Sequence, residues 1–213
     1  MLRNIPQNDW FTVLIVVCLG LIALSKLLYG KRFNDLMAIF NNSNYLKVYV
    51  KEQKFINVFD GLLFLNLVIS LTIFTQIAYK TFYSSQQIQS LDLYYRLIVG
   101  LGSLILIKVL IDRLIGSLFE IDGIMNFYVF QKITFKHLIG LVLLPINILL
   151  IFTIHPSQNI IYGIILLLFV LNFLGFSMSL TNNLKTIKGN LFYFILYLCA
   201  LEIAPYIILF KVV

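Results

Sequence analysis

Charge is what this sequence has least of. Only 12% of its 213 residues are Asp, Glu, Lys or Arg, about half the share of roughly 25% found in soluble domains. So little polar surface cannot coat a globule of this size, and an ordinary soluble fold is excluded. Cysteine is equally scarce: Cys18 and Cys199 each stand inside an apolar run, without CxxC or Cys/His spacing. A thiol so placed acts as a small hydrophobe, and neither a disulfide nor a metal site is expected. There is no HExxH, no GxSxG and no glycine-rich phosphate loop, so the motif-borne routes to hydrolysis and nucleotide chemistry are missing and no cofactor is expected. The two histidines, His137 and His155, read as interfacial rings at opposite membrane faces.

What the sequence has in quantity is apolar length. Hydrophobic residues make up 61% of the chain and the mean hydropathy is +0.96. About 20 residues at 1.5 Å each cross the ~30 Å hydrocarbon core of a bilayer. Six runs are near or above that length, at residues 10–28, 59–79, 94–119, 137–155, 160–180 and 191–210. The predicted fold class is an all-α membrane protein, one bundle over residues 1–213 with six transmembrane helices in three hairpins. The first run has Arg3 ahead of it and the small residues Ala23 and Ser25 near its end, as a secretory signal would. Its length and the Lys26, Lys31 and Arg32 cluster that follows instead predict a retained helix. The uncharged turn from His155 to Asn159 makes the helices on either side antiparallel neighbours.

Basic residues set the orientation. With the amino terminus outside, eleven Lys and Arg fall on the inner side and four on the outer, Lys108 being intramembrane. That bias predicts both termini periplasmic. It also accounts for the formal charge of +7, since lysines flanking membrane spans face anionic lipid head groups. Membrane lipids rather than nucleic acid are the expected partners.

The largest segment between spans, residues 30–58, places Phe33, Leu36, Met37 and Phe40 at helical spacing and carries Lys47, Lys51 and Lys54 farther on. This pattern predicts amphipathic helices on the cytoplasmic face. Phe33, Met37, Phe40, Lys47, Lys51 and Lys54 are the candidates for contact with the membrane surface or a partner subunit. A second basic and aromatic stretch, from Glu120 to Lys136, reads as an inner loop.

Polar groups inside the spans are the candidates for function, because each is costly in hydrocarbon unless paired, neutral or wet. Glu202 stands near the middle of the last run, followed by Pro205, which removes a backbone donor. Ser103 and Asn147 lie at about the same depth, Thr72 is shallower, and Asn172 lies deeper. Lys108 and Asp112 are four residues apart on the third run and share a helix face. Gly100 and Ser103 there would let a neighbouring helix approach closely.

The segments FYFILYLCALEIAPYIILFK, KEQKFINVFDGLLFLN and HLIGLVLLPINILL resemble an uncharacterised family of small polytopic inner-membrane proteins of Bacteroidota, a domain of unknown function. The element Leu201, Glu202, Ile203 and Pro205 is the most specific part of that resemblance. The resemblance implies the inner membrane of a diderm bacterium and carries no activity across. From the residues themselves, the leading expectation is a non-enzymatic subunit of an inner-membrane complex for envelope biogenesis or protein secretion, with membrane-protein partner subunits. The alternatives are a small proton-coupled transporter or lipid flippase using Glu202, and a membrane enzyme acting on lipid-linked substrates.

Overall fold

An apolar segment in a medium without water must satisfy its backbone N–H and C=O groups internally, which leaves the helix as the form a single segment can adopt. The computed structural model of the protein describes residues 9–40, 49, 57–83, 91–118, 122–154 and 156–187, and among these no strand occurs. Helix α1 runs Asp9–Leu28 and α2 runs Gly30–Met37, closed by a 3₁₀ turn at Ala38–Phe40. Then follow α3 (Val58–Tyr83), α4 (Leu91–Leu118), α5 (Asp122–Phe152) and α6 (Gln158–Ile187).

Four stretches are long and apolar enough to cross a membrane: Trp10–Leu28, Val58–Phe82, Met125–Phe152 and Gln158–Gly175. They match four of the six expected runs. The expected third span is a helix of 28 residues, but it carries Asp92, Arg96, Lys108, Asp112 and Arg113 and is not among those apolar enough. The expected sixth, 191–210, lies outside the described residues. The expected inner loop from Glu120 to Lys136 is corrected: α5 begins at Asp122 and is continuous for 31 residues. Lys132 and Lys136 had made this stretch look like a loop. Lysine is a good helix former and does not end a helix, and within the bundle Lys132 pairs with Asp112 from α4. Likewise α6 continues through Thr181 to Ile187, where a loop was expected.

The contacts fix the helix directions. Cys18 meets Ser70 while the earlier Phe11 meets the later Lys80, so α1 and α3 are antiparallel. Leu67 lies against Gly140 and Ser70 bonds Asn147, so α3 and α5 run the same way. Phe82 at the end of α3 touches Tyr162 at the start of α6, and α6 returns. Helix α3 is central, in contact with α1, α4, α5 and α6. Packing is closest where a side chain is missing: a Cβ on Gly140 would stand 2.8 Å from the Leu67 Cα, and one on Gly175 would stand 2.6 Å from the Phe135 ring. Space around Gly100 is open, so the close approach expected on α4 at that glycine falls on α5 and α6 instead.

Two apolar clusters divide the bundle lengthwise. One gathers Phe11, Ile15, Ile73, Phe74, Leu143 and Ile161. The other gathers Phe33, Leu36, Ile39, Phe59, Leu63, Phe130, Phe135 and Leu138 at the end where α1 and α4 finish and α3 and α5 begin. The second cluster ties α2 to the bundle.

Candidate functional site

Helix α2 is short, and an isolated helix of 8 residues is not stable by itself in water. It is held by its apolar face, Phe33 and Leu36, which are both buried, and by Arg32. That guanidinium donates two hydrogen bonds to Asp60, at 3.1 Å to Oδ1 and 3.0 Å to Oδ2. It also stacks 4.6 Å from the Phe59 ring centre and 5.4 Å from that of Tyr49. The Tyr49 hydroxyl in turn donates to Asp35 at 2.8 Å. One guanidinium nitrogen, Nη2, meets both carboxylate oxygens while the guanidinium carbon lies over two aromatic rings, and the stacking favours arginine over lysine.

Asp60 sits in the first turn of α3, where the helix dipole favours a negative charge. Its side chain also bonds Asn57 and lies within electrostatic reach of Arg113. Asp60, Asn57 and Arg113, with Lys136 and His137 from α5, are among the residues that line a cleft of about 360 Å³. That volume is within the roughly 300–1,000 Å³ range of small-molecule sites. The rest of the lining is apolar: Phe64 and Leu67 on α3, Ile105, Leu106, Val109 and Leu110 on α4, and Ile133 on α5. His137 is 2% exposed and lies close enough to Arg32 and Lys136 to feel their charge. The expectation of an interfacial ring at His137 is therefore corrected, because α5 begins fifteen residues earlier and draws that position into the bundle. His155 lies outside the described residues.

Of the site residues expected from sequence, Glu202 and Pro205 lie outside the described residues, as do Lys47, Lys51 and Lys54. Asp112 is buried on α4 and accepts from Lys132 at 2.9 Å. Lys108 is half-buried one turn before it. Asn147 is fully buried and its Nδ2 donates to the Ser70 carbonyl at 2.9 Å. The buried Thr72 returns its hydroxyl to the Val68 carbonyl on its own helix. Ser103 does the same to Gly100 and is exposed, and Asn172 is exposed on α6. The expected polar layer thus draws Thr72 and Asn147 inside and leaves Ser103 and Asn172 on the outer faces of the described helices. Phe33 faces the bundle, while Met37 is exposed; Phe40 ends the 3₁₀ turn.

Arg32, Asp60, Arg113 and Lys136 were not among the site residues expected from sequence, and His137 was expected only as an interfacial ring. Their signal was present only as charge at the ends of apolar runs, where lysine and arginine are ordinary membrane flanks. Convergence from α2, α3, α4 and α5 is a tertiary fact. Farther into the bundle, Asn66 and Gln131 are fully buried and their amides have no hydrogen-bond partner among the described residues.

A family model described as Domain of unknown function (DUF4271) matches residues 11–213. No curated protein and no solved structure matches the chain.

Proposed function

We propose, from the premise that the chain belongs to the DUF4271 family, a domain of unknown function, that it is a non-enzymatic multi-pass subunit of a bacterial inner-membrane complex for envelope biogenesis or secretion. In this reading six helices form three hairpins, both termini are periplasmic, and the end of the bundle that carries α2 faces the cytoplasm. The observation that carries the reading is the way α2 is built onto the bundle. Phe33 and Leu36 are buried and Arg32 is clamped to Asp60, while Lys31, Asn34 and Met37 are turned outward. A free linker would not place a charge and an exposed methionine on a fixed helix face. A docking platform would, since a preordered surface loses less entropy when it binds.

The test is purification of the full chain in mild detergent followed by native mass spectrometry. Stoichiometric companion proteins should be present for the native sequence and lost from a Lys31→Glu, Met37→Asp variant whose thermal unfolding is unchanged. A homogeneous protein without companions would overturn the reading. A second reading, a small carrier or flippase, is favoured by the partnerless amides of Asn66 and Gln131 inside the bundle, because buried polar groups in spans mark substrate and ion routes. Glu202 belongs to that reading.

A further inference from the structure

Three pairings set the levels of the cleft between α3, α4 and α5. Leu67 lies against Gly140 on the parallel α5, so Phe64 and His137, each three residues earlier, stand level. Val68 neighbours Gly102 and Asp60 is within electrostatic reach of Arg113, so α3 and α4 are antiparallel and Leu106 stands level with Phe64. The ion pair of Lys132 with Asp112 agrees, because five residues on along α5 and five back along α4 bring His137 to the level of Ile107. The imidazole therefore meets the cleft partway along its length, at the level of Phe64 and Leu106. Leu106 and Leu110 are exposed at 50% and 58%, so the α4 side of the cleft opens toward the lipid that surrounds a membrane bundle.

His137 differs from the other polar groups of the lining. It is 2% exposed and lines the cleft, yet its ring has no hydrogen-bond partner among the described residues. Asp60 is engaged with Arg32 and Asn57, and Arg113 and Lys136 each have interactions of their own within the chain. Among the described residues, then, the lining offers a charged ligand no unengaged counter-charge. It offers one open N–H, which an imidazole carries in either protonation state. Depth narrows the choice further. Ser70 is the middle residue of the Val58–Phe82 span, and Phe64 lies six residues from it, about 9 Å at 1.5 Å per residue. That is inside the ~15 Å half-thickness of the hydrocarbon core, deeper than a phospholipid head group sits. The volume of about 360 Å³ is near the lower limit of the roughly 300–1,000 Å³ of ligand sites, and suits one flat ring with a length of one chain rather than two acyl chains.

We propose that the cleft binds an isoprenoid quinone, an uncharged flat ring whose carbonyl oxygen accepts the His137 N–H, whose face lies on Phe64, and whose single apolar tail leaves past Leu106 and Leu110. A buried imidazole without an acceptor is costly in hydrocarbon, and a carbonyl relieves that cost without adding a charge. Arg32 and Lys136 are near enough for His137 to feel their charge, and their positive field favours the negative end of a carbonyl dipole at the same place. The site rests on the membrane-spanning reading of α3 and α5 and not on the existence of a partner subunit, so failure of the docking platform and failure of this site are separate results.

The test titrates the purified full chain in mild detergent with a decyl-tailed benzoquinone and with a decylbenzene of the same shape that lacks the carbonyls. The native chain should bind the quinone roughly two- to tenfold more tightly, the span of one net hydrogen bond. His137→Phe, which keeps a ring and removes the donor, should bind the two equally; His137→Gln, which restores a donor, should prefer the quinone again. Val109→Trp, placed in the apolar wall, should weaken both. Equal binding of the two compounds by the native chain, or an undiminished preference in His137→Phe, would overturn the proposal. So would displacement of the quinone by diacylglycerol at equal concentration, which marks a groove for any chain. Because exchanging a buried histidine disturbs packing, two readouts on the native sequence stand beside the variants. The infrared carbonyl stretch of the quinone should move to lower frequency on binding, and a band at its free position would show that no hydrogen bond is made. A photoactivatable quinone should label Phe64 or Leu106, and labelling confined to the outer face of α6 would overturn the site.

Discussion

Removing the carboxylate of Asp112 should destabilise the bundle far more than removing the whole ion pair. The Lys132 ammonium lies 2.9 Å from Asp112, with the two side chains 14% and 1% exposed. At that separation the attraction is about 6 kcal/mol for an effective dielectric of 20, before the cost of taking both charges out of water is subtracted. That cost offsets most of the gain, so the intact pair adds little net stability, while stranding one partner costs about 3–5 kcal/mol. Asp112→Leu leaves an ammonium among helix faces, its contact with the Tyr128 ring at 5.4 Å being a weak substitute. For a chain of this size the loss corresponds to a fall in melting temperature of roughly 6–20 °C. Asp112→Leu combined with Lys132→Met removes both charges and should melt within a few degrees of the native protein. The assay is thermal unfolding of purified variants in detergent, followed by intrinsic fluorescence and size-exclusion recovery. A single variant that melts with the native protein, or a double variant that melts below Asp112→Leu, would refute the reasoning.

Gly140→Leu should separate α3 from α5 and cost about 1–3 kcal/mol or more by overpacking, since even a Cβ there stands 2.8 Å from the Leu67 Cα; Gly100→Ala, with open space around it, should melt like the native chain. Arg32→Met should release α2 from Asp60 and speed its amide exchange without changing exchange in α5, and unchanged protection of α2 would count against the clamp. Reporters fused after Lys211 should behave as periplasmic, and those placed at Asn42 or Asn182 as cytoplasmic; a cytoplasmic carboxyl terminus would break the parity of six spans. Glu202, outside the described residues, should tolerate Gln and not Leu if its part is structural; a Gln variant that assembles yet has lost function would favour proton coupling instead.

Helix in this protein follows from composition and length. Where hydrophobic residues are 61% of the chain, apolar runs of twenty residues have a single way to satisfy their backbones, and this holds whatever their neighbours are. That is why α1, α3 and α6 begin within two residues of the runs expected for them. The amphipathic face of α2 was legible for the same local reason: the spacing of Phe33 and Leu36 survives any tertiary arrangement.

Pairing was decided only in three dimensions. Lys132 and Lys136 read as loop residues because hydropathy counts each charge alone, whereas the bundle brings Asp112 from α4 against Lys132 across twenty residues of sequence. Paired in this way Lys132 stands inside the bundle, on a helix that starts at Asp122. His137 moved with it, from an expected head-group position to a buried wall of the cleft. The cleft itself needs Asn57, Arg113 and Lys136 from three separate segments, and no spacing along the chain encodes that meeting. Sequence determined which segments become helices, because backbone satisfaction is local; tertiary structure decided which charges face one another, because electrostatic pairing depends on distance through space.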